Sequence, residues 1–260
     1  MSHGIEFLYA NYINTTTQIA VTSNTGAAEN IFLRDPNLQY YSDLDNNDLT
    51  TTSITITFDA TSNVSRVVMK DINLKEFRIF YNGATANTFN FTNATTASYW
   101  TSNSETSLYL KCDTVACSSI TIDAKKTIVA DNEKVIGLLH VSDVYLDFGR
   151  YPSAKDYKPK HSRKQIVHEL SDGGARIHNV AKKYELQLGF DYLSAAETAQ
   201  LRDIYDLEVP FCFCPFGTAT AWDGIFFESV WTGPWDFDEY SDNAAASGFS
   251  GSIKLKETTW

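Results

Sequence analysis

Short runs in which apolar and polar residues alternate, separated by clusters of Asn, Asp, Gly and Ser, constrain this chain more than any other feature. In "SITITF" Ile54, Ile56 and Phe58 share one face, in "EFRIFYNG" Phe77, Ile79 and Tyr81 do, and in "SSITID" Ile120 and Ile122 repeat the pattern. A period of two belongs to the extended strand, whose successive side chains point to opposite faces; it does not build the stripe a helix needs. Repetition of such runs between turn residues implies an antiparallel sandwich. No convincing helix precedes Tyr151. Of the 260 residues 43% are hydrophobic and 13% aromatic, enough for a packed core, and the wealth of Thr, Tyr, Phe and Ile favours strands. The expected class is mainly β.

From Tyr151 to Lys164, "YPSAKDYKPKHSRK" combines two prolines, clustered charge and little apolar content, the composition of a linker. Its Lys158, Lys160, Arg163 and Lys164 are read as solvated. Beyond it, "VHELSDGGARIHNVAKKYELQLGF" sets Gly173 and Gly174 in a polar run before Tyr184, Leu186, Leu188 and Phe190 alternate as a half-buried strand. Glycine reaches backbone angles closed to other residues, so Gly173 and Gly174 are expected to form a hinge that leads into a second domain. "SAAETAQLRDIYD" then offers Ser194 as an N-cap, Glu197 to bond back to it, and Leu201, Ile204 and Tyr205 as an apolar stripe, which predicts a helix near 194–206. "PFCFCPF", "GIFFESVWTG" and "GFSGSIKLKET" return to strands. The expected division is a first domain over 1–150, a linker over 151–164, and a second domain over 165–260, a small β-barrel or sandwich with one packed helix.

A formal charge of −11 and a pI near 4.8 argue against direct nucleic-acid binding, since a polyphosphate partner needs a basic footprint. No run approaches the roughly 20 apolar residues that cross a bilayer, and "MSHGIEFLYANY" lacks the plan of a signal peptide; no membrane insertion and no secretion by that route are expected. The Asn-x-Ser/Thr triplets at Asn14, Asn63, Asn90 and Asn93 are what an Asn- and Thr-rich chain makes by chance. Cys112 and Cys117 with Cys212 and Cys214 are poorly spaced for zinc and read as small apolar residues.

Four stretches carry chemistry to weigh. "DLDNNDL" alternates Asp43, Asp45 and Asn47 like the start of a calcium loop, but Asp48 and Ile54 stand where Gly and Glu are needed. A polar turn is favoured there, with a calcium ion held near Asp43 to Asp48 left open. "SDGG" lacks the Lys-Ser/Thr pair and following helix of a phosphate loop. His161, His168 and His178 match no nucleophile elbow or metal-binding helix. "WTGPWDFDEY" sets Asp236, Asp238 and Glu239 beside Trp231 and Trp235, residue types that could serve glycoside cleavage, although aromatic residues near a hairpin more commonly pack.

Taken in order, "ANYINTTTQIAVTSN", "AENIFLRDPNLQYYSD", "SITITFDATSNVSRVVMKDINL" and "EKVIGLLHVSDVYLDF" resemble the galactose-binding-like, discoidin-type jelly roll of tailed-bacteriophage tail proteins. The chain beyond Phe148 resembles the tail-tube-like fold of distal-tail and tail-tip (baseplate) proteins: a glycine-rich hinge, the strand "YELQLGF", a helix opening Ser-x-x-Glu, and a closing β region. The resemblance spans nearly the whole chain and lies in the order of turns and strands. "IFLRDP" and the insertion-like "ATANTFNFTNATTASYWTSNSE" depart from the pattern.

The resemblance implies an N-terminal jelly-roll β-sandwich followed by a tail-tube-like domain, in a structural, non-enzymatic component of a virion tail tip or baseplate. It implies a homo-oligomer ring that extends the tail tube, with tail tube, hub or fibre proteins as partners. The place implied is the virion tail, and the host cytoplasm during assembly. No cofactor and no metal are expected. Ligands of discoidin-type domains sit at loops on one end of the sandwich, so Tyr40, Tyr41, Asp43 and Trp100 are the expected contacts for a host-surface glycan. Trp231, Trp235, Leu201 and Tyr205 are the expected subunit-interface residues. The alternative reading is a carbohydrate-binding adhesin module, and behind it a glycan-degrading enzyme.

Overall fold

The computed structural model describes residues 4–8, 10–33, 38–43, 47–85, 87–89, 91, 95–97, 100–149, 157–169, 175–215, 227–241 and 247–258. In chain order the strands are β1 (Glu6–Leu8), β2 (Ile19–Val21), β3 (Tyr40–Tyr41), β4 (Thr52–Lys70), β5 (Leu74–Tyr81), β6 (Thr95–Ala97), β7 (Trp100–Ser102), β8 (Leu108–Thr127) and β9 (Val135–Ile136). They continue as β10 (Leu138–Ser142), β11 (Val144–Asp147), β12 (Lys158–Glu169), β13 (Ala175–Leu193), β14 (Phe211–Cys214), β15 (Phe227–Trp231), β16 (Phe237–Ser241) and β17 (Ser247–Glu257). One α-helix, α1 (Ala195–Asp206), and two 3-10 turns, Thr16–Gln18 and Thr25–Ile31, complete the described elements. The protein is mainly β. Two compact units divide it, one from Leu8–Val144, the other from Met1–Phe7, Tyr145–Gly217 and Phe226–Thr259.

In the first unit a seven-stranded sheet runs β10-β4-β8-β5-β7-β6, with β2 also on β4. The alternating runs read from the sequence are its centre: Ile54 pairs with Ile122 and Ile56 with Ile120 across β4 and β8, while Ile79 of β5 pairs with Ile122. Residues directly opposite share a face, so these side chains converge on one core with Phe58 and Phe77. Both β4 and β8 are long, at 19 and 20 residues, and irregular. The β4–β8 ladder shifts register between Thr57 and Ser62 and again between Val64 and Arg66, and past the second shift the inward positions become Val67 and Met69, odd where Ile54 and Ile56 were even. The first shift leaves three more residues on β4 than on β8 and the second two more on β8 than on β4, irregularities that bend the strands and let the alternation change face. One core thereby collects side chains from both halves of each strand, as a sandwich does.

The second unit is one eight-stranded sheet, ordered β11-β1-β14-β15-β17-β13-β12, with β16 also on β17. Leu186, Leu188 and Phe190 of β13, Phe211 and Phe213 of β14, and Ile253 and Leu255 of β17 form its core with Phe7, Leu146 and Phe148. Helix α1 closes that core with Leu201 and Ile204. The Ser194 capping box forms: Ser194 Oγ accepts from the Glu197 N–H at 3.2 Å and the Glu197 carboxylate accepts from the Ser194 N–H at 2.8 Å, a motif worth about 1 kcal/mol. Gln200 Nε2 donates to the Tyr145 carbonyl at 3.1 Å and Tyr145 donates to Asp203 at 2.5 Å, tying the helix to β11.

Expectations about the organisation of the chain change in the middle and at the start. Residues 158–164, read as linker, are the first part of strand β12, and the strand expected at Tyr184 already begins at Ala175. Gly173 and Gly174 lie outside the described residues, but the strands on either side pair antiparallel from Glu169↔Ala175 to Lys158↔Gln187. The strands that flank them are therefore neighbours in one sheet. The polar composition hid these strands because β12 is an edge strand whose pairing comes from backbone groups, which no side-chain pattern reports. Finally, Glu6–Leu8 joins the sheet of the second unit beside β14, so the first domain does not begin at residue 1.

Candidate ligand-binding site

In β3 the successive side chains of Tyr40 and Tyr41 point to opposite faces, one buried and one exposed. Tyr40 is fully buried, pairs with Ile136 of β9, and donates its hydroxyl to the Ser23 carbonyl at 2.8 Å; it is core and unavailable to a ligand, contrary to expectation. Tyr41 points the other way and keeps 46% of its surface exposed. Ser23 ties this segment down, its Oγ donating to the Asp43 carbonyl (2.9 Å) and accepting from the Asp43 N–H (3.0 Å). Asp43 stays exposed beside it.

A groove of about 490 Å³ opens at Tyr41 and is lined by Asn24, Gly26, Asn30, Leu38 and Gln39. Asn24 takes the left-handed backbone (φ 52) at the start of the Thr25–Ile31 turn and donates Nδ2 to the Tyr41 carbonyl at 2.9 Å. Asn30 donates Nδ2 to the Gln39 carbonyl at 3.2 Å. Both amides are thus held in place, each with an oxygen and a second N–H to offer. An exposed ring beside fixed amides can stack on an apolar ring face and hydrogen-bond to hydroxyls at its rim. Sequence reasoning singles out Tyr41 and passes over Asn24, Asn30 and Gln39. An Asn directly before the small-residue run "TGAA" is the available signal, a turn former able to accept positive φ.

Trp100 stands in different company. On the outward face of the sheet its ring lies 4.7 Å from the Arg78 guanidinium carbon and 5.3 Å from the Lys125 ammonium. Arg78 in turn bonds Asp123 through Nε at 2.8 Å and Nη2 at 2.7 Å, and Ser53 donates to the same carboxylate at 2.6 Å. Asp123 is only 5% exposed. Two cations occupy the ring of Trp100, and Asp123 satisfies one of them, so the array is a packed structural device.

The loop read as a possible calcium site is organised by its own side chains. Asp48 accepts from the Thr127 N–H (3.1 Å), the Thr127 hydroxyl (3.2 Å) and the Asp131 N–H (3.4 Å). Burial opposes its ionisation, but these hydrogen bonds and nearby Lys134 outweigh it and hold the carboxyl below its ordinary range. The ammonium of buried Lys134 donates to the Asn47 carbonyl at 2.8 Å, supplying a cation from the chain itself. Residues 44–46 lie outside the described set. Cys112 and Cys117 sit on β8 and Cys212 and Cys214 on β14, all buried free thiols. Burial pushes the Cys112 thiol up to about 12 and the Cys117 thiol up to about 11, which makes them packing groups.

In the second unit, Leu201 is fully buried and cannot contact a partner. Trp231 and Trp235 stack at 5.9 Å, and Tyr205 meets them edge-on at 5.3 and 5.6 Å. Together they seat the end of α1 on the sheet. Asp236, Asp238 and Glu239 are exposed; Asp238 and Glu239 are successive residues of β16 and so point to opposite faces.

Neither a protein-family model nor a curated protein sequence matches the chain. Among solved structures, chitosan-binding module 1 from a chitosanase/glucanase of Paenibacillus sp. IK-5 is similar at 12% identity and a TM-score of 0.39, over 52% of this chain and 100% of that one. A CBM32-3 module from a family 31 glycoside hydrolase of Clostridium perfringens is similar at 14% identity and a TM-score of 0.38, over 49% and 92%. A CBM32-5 module of the same organism, in complex with GalNAc-β-1,3-galactose, gives 12%, 0.38, 49% and 97%. Likenesses this slight decide nothing about what the present chain binds.

Proposed function

We propose that the chain is a non-catalytic glycan-binding protein that receives a sugar in the groove beside Tyr41. The observation that carries this reading is an aromatic ring left 46% exposed at the mouth of a groove whose amides are already fixed by backbone hydrogen bonds. Preorganised polar groups around an apolar platform are what a neutral sugar requires, since its ring faces are apolar and its rim is hydroxylated. Gly26 supplies a clean test. A Cβ there meets nothing closer than Asn24 Oδ1 at 4.0 Å, so Gly26→Gln fills the groove without disturbing the turn. On a glycan array the full chain binds at least one neutral or N-acetylated sugar, and Gly26→Gln and Tyr41→Ala each weaken that binding about tenfold or more, a hydrogen-bonded stacking platform being worth roughly 1.5 kcal/mol. Silence of the parent chain across the array, or unchanged binding by both variants, overturns the reading.

A second reading, a ring subunit of a tailed-bacteriophage tail tip located in the virion, is favoured by the two strands β12 and β16. Each is paired on one side only among the described residues. The sequence of β12 carries Lys158, Lys160, Arg163 and Lys164, while β16 and the residue before it carry Asp236, Asp238 and Glu239. Oppositely charged open edges on one chain suit head-to-tail association, which closes into rings. Light scattering at low salt checks this: a ring-sized species supports assembly, and a persistent monomer with and without tail proteins counts against it.

A further inference from the structure

The outward face of β12, β13 and β17 carries a second, chemically different groove. Cross-strand register sets Lys160, Glu185 and Lys256 in one row and Lys158, Gln187 and Lys254 in the next. Neighbouring strands are about 4.8 Å apart and alternate residues about 6.7 Å apart, so the four lysines stand at the corners of a rectangle of about 10 by 7 Å. Between them opens a space of about 430 Å³. Four ammonium groups face one carboxylate there, and that carboxylate already holds Lys256 at 2.9 Å. Lys158, Lys160 and Lys254 are exposed and have no anionic partner among the described residues. Such a concentration of like charge is unusual in a chain of net charge −11, and like charges held this close repel unless an anion joins them.

The groove does not end at the lysines. A further space of about 300 Å³ shares Lys158 and Gln187 and continues over Gly189 to the carboxylate of Asp191 and the hydroxyls of Ser250 and Ser252. From Lys256 to Ser250 along β17 is a span of about 20 Å. One half is cationic; the other is lined by hydroxyls, the single carboxylate of Asp191 and glycine, whose missing side chain lets a ligand lie close to the backbone.

We infer that this face binds an acidic oligosaccharide, with carboxylate or sulfate groups on the lysines and ring hydroxyls on Gln187, Ser250 and Ser252. Nucleic acid fits less well. Duplex DNA carries a charge every 1.7 Å or so and is bound through an extended basic footprint, whereas the lysines here cover one short stretch of an acidic chain and no arginine lines the groove. A sugar polymer with sparse charge escapes that general repulsion and can set uncharged ring hydroxyls in the second half, where the Asp191 carboxylate repels a continuous phosphate backbone.

The inference stands on residues apart from the Tyr41 groove, so the two fail separately. Titration calorimetry of the full chain with a short oligogalacturonate, a neutral glucan oligomer and a DNA duplex provides the test. Oligogalacturonate binds and weakens as salt rises, and the glucan does not bind this face. Lys158→Gln with Lys254→Gln loses about tenfold or more of the affinity, two charge-assisted contacts being removed. Tyr41→Ala leaves oligogalacturonate binding unchanged. Both lysines are exposed, so the double variant folds, which circular dichroism verifies. Absence of binding, equal affinity in the double variant, tighter binding of DNA, or self-association at low salt that the double variant abolishes would each overturn the proposal.

Discussion

The two outward sheet faces present the same motif with opposite outcomes. In the first unit a carboxylate on the central strand, Asp123, stands between Arg78 of β5 and Ser53 of β4. In the second, Glu185 of β13 stands between Lys160 of β12 and Lys256 of β17. Asp123 is 5% exposed and takes three hydrogen bonds from its neighbours, so that face is electrically closed and rigid. Glu185 sits in a half-exposed ion pair with one lysine, surrounded by cations that outnumber it. A closed face stabilises a fold, and an open one is available to a ligand. Burial makes the difference, because the same carboxylate is worth several times more where water is excluded.

The comparison breaks most visibly at Asp123. Replacing it with Ala strands the Arg78 guanidinium over a buried floor and lowers the stability of the first unit by about 3 kcal/mol, measured by urea unfolding; a loss below about 1 kcal/mol would show that the face is not closed. Next comes Gly251, where a Cβ would collide with the Asp236 carbonyl oxygen and the Phe237 ring. Gly251→Ala forces β16 away from β17 and costs about 2 kcal/mol, with faster amide exchange in 237–241 as the local readout.

Asp48→Asn costs about 1 kcal/mol at neutral pH, as hydrogen bonds to a charged acceptor weaken. The carboxyl of Asp48 is held below its ordinary range, so its contribution is fully present above the unfolded carboxylate pKa and is lost as pH falls through the folded value. The parent and the variant accordingly converge in stability on acidification, and a gap that persists at low pH contradicts this. The smallest effect falls on the open face: Glu185→Ala changes stability by less than about 0.5 kcal/mol, because exposed pairs contribute little, while it raises affinity for oligogalacturonate by removing the carboxylate that stands among the four lysines. A stability loss comparable to that of Asp123→Ala would erase the distinction between the faces.

Much of the core is legible in the sequence. Alternation alone places Ile54, Ile56, Phe58, Phe77, Ile79, Ile120 and Ile122 inward, and all lie in one cluster. The Ser194 cap and the α1 stripe are equally plain, since both are local patterns set by a few neighbouring residues. The site is half legible. Sequence reasoning names Tyr41 but also Tyr40, because adjacent aromatic residues look alike until a partner strand decides which one turns inward. Apolar character suggests Leu201 for an interface, yet the same character makes it core. The lysines of 158–164 read as linker for a related reason: charge suggests solvent exposure, which is correct for Lys158 and Lys160, but it does not exclude an extended backbone.

By itself the sequence determined the mainly β class, the inward positions of the regular strands and helix α1 with its cap, because each depends on contacts within a few residues. Only the tertiary structure decided that β12 is a strand, that Glu6–Leu8 belongs to the second sheet, and that Lys158, Lys160, Lys254 and Lys256 stand around Glu185. Those facts depend on strand register between segments up to about a hundred residues apart in the case of the lysines and farther for β1, and a one-residue slip in that register turns every side chain to the other face.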